Sequence, residues 1–347
     1  MASGSIPARA EPFNANPGRL TDGFLSAQLG RAVTLTSIEP LTDGHMAQVL
    51  RLRFSAVGAG TDHAREETVI FKGAGPSKTQ DVAARFNSHA REAEFYRTLA
   101  PKLDVATPKC WSVAAPFAAE PWLLLEDLSP KAALAPPLTV LSALTVLARL
   151  HRETQSNALT RITFTNNIKD LTGFIQAQDQ ARVEQLVTGS LQPSAPLASR
   201  MLSGLDTIEA RLHHPGPALI HCDFRWDNLS AAHSGCLFDW GDYCAGPPAY
   251  DLGYFFVTST QGLDPSGSRL SAWLEHYLNA MNGRAQAARP ALTRAGLIED
   301  LQHLLPIIAW TPAMMLLTAA ELPGAQHTYW RAALAHCETL SAQLRGL

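Results

Sequence analysis

The stretch HCDFRWDN, residues 221 to 228, holds the densest set of side chains able to do chemistry. Asp223 stands just past the apolar run ALI, and Asn228 follows five residues later, so a turn between them can aim a carboxylate and an amide oxygen into one place. A second apolar run, GCLF, leads into Asp239. Phosphoryl transfer asks little covalent help of a protein, but it needs phosphate charge neutralised, magnesium held and an acceptor hydroxyl aligned. The order Asp, Asn, Asp suits those needs. Asp223 would orient and deprotonate the hydroxyl, while Asn228 and Asp239 would hold magnesium through hard oxygen atoms. Two other readings compete. The segment could be a polar hairpin whose Asp and Asn only make turn hydrogen bonds, or His221, Asp223 and Asp239 could serve a metal-dependent hydrolase.

These residues need elements to position them. Between Val33 and Lys72 lie three segments of strand character, VTLTSIEPL, MAQVLRLRF and ETVIFKG, which predict an antiparallel meander. The turn TDGH joins the first two, with Gly44 free to take positive φ. Lys72 ends the third strand, where its ammonium could reach the α- and β-phosphates of a nucleotide. From Asp81 to Leu99, Val82, Phe86, Ala90, Ala93 and Tyr96 recur at helical spacing. That helix offers Glu92 and Glu94, either of which could hold Lys72 extended by an ion pair. The run WLLLEDL, 122 to 128, predicts a buried strand that closes the first lobe. Long helical patterns follow over Thr139–Thr154, Leu171–Val187 and Leu197–His213, interrupted by one short strand pair, ALIHCD with GCLFDW, before helices resume from Tyr250. The expected class is therefore α+β and bilobal. A mobile arm spans 1–18, an N-terminal nucleotide-binding lobe of antiparallel sheet with one main helix spans 19–128, and a larger, mainly helical catalytic and substrate-binding lobe spans 129–347.

Four stretches in this order resemble the aminoglycoside phosphotransferase and choline kinase superfamily, and within it the ecdysteroid-kinase-like branch. VIFKG resembles the lysine strand and REAEFYRTLAP the helix with its paired glutamate. WLLLEDL resembles the interlobe hinge, and HCDFRWDN with FDWGDYCAGPPAYDLGYFF the catalytic and metal loops. The resemblance spans roughly residues 40 to 256 and implies a protein-kinase-like fold using ATP and Mg2+. It also selects Glu92 over Glu94, assigns adenine to backbone groups around Glu126 to Leu128, and makes Asp251 a brace of the catalytic loop. His151, in LARLH, reads as structural. Departures accompany it: the turn DGHMAQV that would cover the nucleotide has one glycine, Gly44, and Cys222 stands where relatives often carry glycine. Arg225 could meet the transferred phosphate, the acceptor, or simply Asp227.

Composition narrows the partners. A chain of 347 residues with 46% hydrophobic and 17% charged residues affords a sizeable core. A net charge of -3, with no basic run, offers nucleic acid no electrostatic footprint. Five cysteines without CxxC spacing indicate neither a disulfide framework nor zinc. They fit a reducing cytoplasm. The first residues lack the apolar core of a secretory signal. Leu304–Ala320 is long enough to span a membrane, but Pro306 and Pro312 make it read as buried helices. The expected partner is thus a small-molecule alcohol, steroid-like, amino-alcohol or sugar, bound by a monomer or homodimer with no nucleic acid and no membrane. Trp310, Met314 and Met315 could line an apolar acceptor pocket or pack a core. Sparse acidic residues there make a polycationic antibiotic the second choice, and a catalytically silent binding module is the remaining alternative.

Overall fold

Alternating residues in VLRLRFSA put Leu50, Leu52, Phe54 and Ala56 on one face of a strand, and all four are buried. In the computed structural model this strand is β2 of a meander made by β1 (Val33–Leu41), β2 (Gln48–Val57) and β3 (Ala64–Gly73). The structure describes residues 17–41, 47–57, 64–73, 87–118, 120–156, 195–204, 218–259, 267–283, 292–318 and 324–347. Two further strands, β4 (Cys110–Val113) and β5 (Trp122–Glu126), complete an antiparallel sheet in the order β1-β2-β3-β5-β4. Helix α1 (Asp22–Leu29) starts at Thr21, whose hydroxyl accepts from the Phe24 amide, and ends at Gly30 in the left-handed conformation. Its Leu25 joins Val33, Leu52, Phe54, Val69, Phe71 and Leu124 in one core on one face of the sheet.

The three strands of the meander lie where their alternation places them. Neither α1 nor β4 was expected, because eight residues of helix and four of strand carry too little periodicity to stand out. Helix α2 (Ser88–Thr98) occupies the later part of the expected Asp81–Leu99 pattern, and residues 81–86 lie outside the described ones. The chain divides into two compact units, one of Met1–Pro101 with Pro108–Pro130, the other of Lys102–Thr107 with Lys131–Leu347. The detour at 102–107 has no sequence signal. It is tied down by the Leu237 amide, which donates to the Ala106 carbonyl at 2.9 Å.

In the second unit, α3 (Val140–Ser156) is followed by α4 (Ala195–Gly204), and the expected helix at 171–187 lies outside the described residues. Four short strands then carry the loops of interest: β6 (Ala218–Ile220), β7 (Leu229–Ser230), β8 (Cys236–Leu237) and β9 (Cys244–Gly246). Here the expected pairing of ALIHCD with GCLFDW is corrected. The first run supplies β6, which pairs with β9, and the second supplies β8, which pairs with β7. The chain turns back on itself at Gly235, φ 112, so β7 and β8 form their own hairpin and leave β6 to a later partner. After β9 come α5 (Pro248–Thr258), α6 (Gly267–Asn282), α7 (Arg294–Ile308), α8 (Trp310–Thr318) and α9 (Gly324–Arg345). Every residue of α5 is buried, packed against α7 and α9, while α3 packs on α6 and β6. The membrane-like stretch is divided between α7 and α8 at Ala309. No described helix is long and apolar enough to cross a membrane. Trp310 is fully buried and donates to the Met201 carbonyl at 3.2 Å, and Met314 is buried beside it in the chain, so these two are core.

Candidate active site

Asp251 and the backbone of the HCD turn explain each other. Cys222 sits at φ 67, a conformation in which a glycine carries no penalty and other residues do. The amides of His221 and Cys222 then point together, and both donate to Asp251: His221 N to Oδ2 at 2.6 Å and Cys222 N to Oδ1 at 2.8 Å. Asp251 is fully buried in the first turn of α5. Its Oδ2 also accepts from His151 Nε2 at 3.2 Å, and His151 Nδ1 meets the Tyr277 hydroxyl at 2.7 Å. Both residues are structural supports, consistent with the roles read for them from sequence. The Cys222 thiol lies 3.4 Å from that of Cys244 on β9, and burial pushes its pKa well up, so it packs rather than reacts.

The turn delivers Asp223 half-exposed, with its carboxylate already gripped. Tyr254, one helical turn after Asp251, donates its hydroxyl to Oδ1 at 2.8 Å. Asn228 donates through Nδ2 to Asp223 Oδ2 at 2.7 Å and to the Asp223 carbonyl at 2.8 Å. With both amide protons given to Asp223, Asn228 keeps Oδ1 as an acceptor. The Phe238 amide donates to the Asn228 carbonyl at 3.1 Å, extending the β7–β8 ladder by one step, and Asp239 is the next residue along the chain. Asp239 has φ 65, a second non-glycine residue in the left-handed region within this site. An amide oxygen and a carboxylate are the kinds of oxygen donor that magnesium takes together with phosphates and water. Among the described residues no group of three or more His, Cys, Asp or Glu is placed to hold a metal, so an all-protein cage of the kind zinc favours is not formed there. His221 does not join such a set. Its Nε2 faces the Phe238 carbonyl at 3.0 Å and its Nδ1 faces the Asp223 amide at 3.3 Å, which uses both ring nitrogens on backbone. The hydrolase alternative loses its histidine ligand.

Sequence reasoning missed the tyrosines. Tyr254 holds Asp223, and Tyr329 of α9 donates its hydroxyl to the Thr258 carbonyl at 2.6 Å while meeting Arg225. The spacing of Tyr254 three residues after Asp251 was the available signal. Burial raises the pKa of both, with neighbouring Asp223 raising them further and Arg225 opposing it, so both remain protonated donors.

In the first unit, Lys72 Nζ lies 2.7 Å from Glu92 Oε2, with only 2% of the Glu92 side chain exposed. Glu94 pairs with Arg97 on its own helix instead. Register puts Lys72 opposite Val49 and Leu123 and on the same face of the sheet as Arg51, away from the core cluster. At the end of β5 the Glu126 amide donates to the Lys109 carbonyl at 2.8 Å, so it is committed to the sheet. Asp127 is held by Arg51 Nε at 2.8 Å and by the Ser129 amide at 3.0 Å. Leu128, half-buried, follows past the last sheet residue. Gly44 lies outside the described residues.

The sequence matches the phosphotransferase enzyme family (APH) over residues 62–315. No curated protein matches it in sequence. Among solved structures it is similar to a candidate aminoglycoside phosphotransferase from Ralstonia eutropha JMP134, at 15% identity and TM-score 0.55, over 94% of this chain and 97% of that one. It is also similar to a candidate fructosamine-3-kinase from Thermobifida fusca YX-ER1, at 13% identity and TM-score 0.50, over 91% of this chain and 97% of that one. At such identities the likeness is one of fold.

Proposed function

The chain belongs to the phosphotransferase enzyme family, and from that premise we propose that it transfers the γ-phosphoryl group of ATP to a hydroxyl of a small molecule. The observation that carries this reading is the fixed carboxylate of Asp223, aligned by Tyr254 and Asn228, with Asp239 one residue past the Phe238 amide that bonds the Asn228 carbonyl. In the proposed reaction the hydroxyl oxygen forms a bond to the γ-phosphorus as the bond to the ADP oxygen breaks. The hydroxyl proton passes to Asp223, and the products are ADP and a phosphate ester. Oδ1 accepts from Tyr254 and Oδ2 from Asn228, which leaves each carboxylate oxygen a second lone pair able to receive the hydroxyl proton. Asn228 Oδ1 and the Asp239 carboxylate would hold magnesium, which when bound neutralises phosphate charge. Lys72, steadied by Glu92, is assigned to the α- and β-phosphates, and Leu128, rather than the committed amide of Glu126, to the adenine edge. The acceptor is a steroid-like alcohol, an amino alcohol or a sugar. The kinship to the ecdysteroid-kinase-like branch, a cytoplasmic location and a monomeric or homodimeric state belong to the same proposal.

The test is ATP consumption across a library of hydroxylated steroids, amino alcohols, sugars and aminoglycosides, repeated with Asp223→Asn. Loss of the base is expected to lower turnover about 10²- to 10⁴-fold while nucleotide binding persists. Undiminished turnover by Asp223→Asn would refute the assignment. Nucleotide binding without phosphorylation of any acceptor would make the protein a binding module.

A further inference from the structure

One charge in the catalytic turn has partners that do not account for it. Arg225 lies two residues past Asp223, with 18% of its side chain exposed. Its Nε is 3.3 Å from Asp223 Oδ1, yet that nitrogen is buried with no hydrogen-bond partner, so the contact is an ion pair without an aligned hydrogen bond. Nη1 is 3.5 Å from Asp227 Oδ2, whose side chain is 69% exposed, a distance and setting that contribute little. Tyr329 gives it a lone pair, since the tyrosine's own proton goes to the Thr258 carbonyl. Burial works against the charge, but Asp223 and the tyrosines outweigh it and raise the pKa, so the group is a cation throughout the working range.

A guanidinium presents five N–H donors in one plane, and leaving them unmet in a buried setting carries a desolvation penalty. Here the fold leaves the Nε donor, beside Oδ1 of the proposed base, without a hydrogen bond. Resting on the phosphotransferase reading above, we propose that Arg225 is a further catalytic residue that receives the equatorial oxygens of the phosphoryl group during transfer. The chemistry is complementary. The planar fork meets phosphate oxygens two at a time, and charge on those oxygens is what the transition state must neutralise. Asp223, which takes the acceptor proton, holds the same guanidinium in place, so base and anion receptor form one unit. An acceptor rich in oxygen could present the same chemistry, and the experiment separates the two sources.

Calorimetric titration of the full chain with Mg2+ and either AMP-PNP or ADP isolates the γ-phosphoryl group. Arg225→Gln is expected to weaken AMP-PNP binding about 10- to 100-fold and to leave ADP binding within about twofold, which also shows that the variant is folded. Arg225→Lys, with charge but no fork, should fall between the parent and Arg225→Gln, and it carries the comparison if Arg225→Gln does not fold. Unchanged AMP-PNP affinity together with a raised KM for the acceptor would assign Arg225 to the acceptor and overturn the proposal. Unchanged binding and unchanged turnover would overturn it as well, leaving Arg225 a structural residue. A parent protein that binds neither nucleotide would instead sink the phosphotransferase reading.

Discussion

His221 shows how much a single side chain in this turn has to do without touching substrate. Its ring is fully buried, with Nε2–H donating to the Phe238 carbonyl and the Nδ1 lone pair accepting the Asp223 amide. That pattern fits only the neutral imidazole, because a proton on Nδ1 would face the amide hydrogen of Asp223. Burial accordingly pulls the His221 pKa below its ordinary value, with Asp251, Asp223 and Asp239 opposing only in part. Between the depressed folded pKa and the unfolded value near 6.5, the unfolded chain takes up a proton that the folded chain refuses. Stability is therefore expected to fall as pH is lowered through that window, by up to about 1.4 kcal/mol per pH unit, and to be insensitive to His221 above it. Urea melts from pH 7.5 to 5.5 measure this, and His221→Gln should flatten the slope. An identical slope in the variant would show that the imidazole does not titrate in this way. At this scale the sequence was informative where residue type limits role. Asp223, Asn228 and Asp239 are oxygen donors in the order that phosphoryl transfer needs, and that order, rather than their loop positions, set them apart from ordinary turn residues. Tyr254 and Tyr329 were hidden because a tyrosine in a helix that packs on its neighbours has an ordinary reason to be there, and only the fold shows where its hydroxyl goes.

Helix α5 is the element that turns these residues into a site, since Asp251 fixes the backbone of the HCD turn and Tyr254, one turn on, fixes the Asp223 carboxylate. It can do so because it lies close to α7. A Cβ at Gly253 would meet Ile308 Cδ1 at 2.7 Å and Leu301 Cδ2 at 3.2 Å, both on α7. Those atoms are the tips of side chains that can turn, so Gly253→Ala should be tolerated. Gly253→Leu, in contrast, has to push α5 away from α7 and is expected to cost about 1–3 kcal/mol. Turnover should fall with it, because the displaced helix carries both grips on the turn that bears the proposed base. Melting and turnover of the two variants, side by side, check the claim. A Gly253→Leu protein that melts and turns over like the parent would mean that the helix seat is looser than the geometry indicates. Elements were legible in proportion to their length. The meander of β1 to β3 and the helix α3 follow from periodicity over nine or more residues. The two- and three-residue strands β6 to β9 do not, because their partners are chosen by the turn at Gly235 and by α5 rather than by any pattern of their own.

At the scale of the whole molecule, the residues assigned to the proposed chemistry fall in different compact units, Lys72 and Glu92 in one and Asp223, Asn228 and Asp239 in the other. The order of these residues along the chain was readable, because phosphoryl transfer dictates a short set of types and the family resemblance supplied their sequence. Their three-dimensional support was not. The two halves make separable predictions. Lys72→Met leaves the buried Glu92 carboxylate without the ammonium that stands 2.7 Å from it, which is expected to cost about 3–5 kcal/mol. Replacing both, as Lys72→Met with Glu92→Met, removes the stranded charge and should recover most of that loss. A purely structural ion pair would end there. If Lys72 serves the phosphates, the double variant should regain stability and still lack nucleotide affinity, whereas Asp223→Asn should keep that affinity. ATP with Mg2+ at about a hundredfold excess over Kd stabilises a binding protein by about 2.7 kcal/mol, enough to read in a melt. Parent and Asp223→Asn are expected to show that gain and the double variant to lose most of it. An equal gain in all three would remove Lys72 from the nucleotide site and leave its pair with Glu92 as a feature of folding alone.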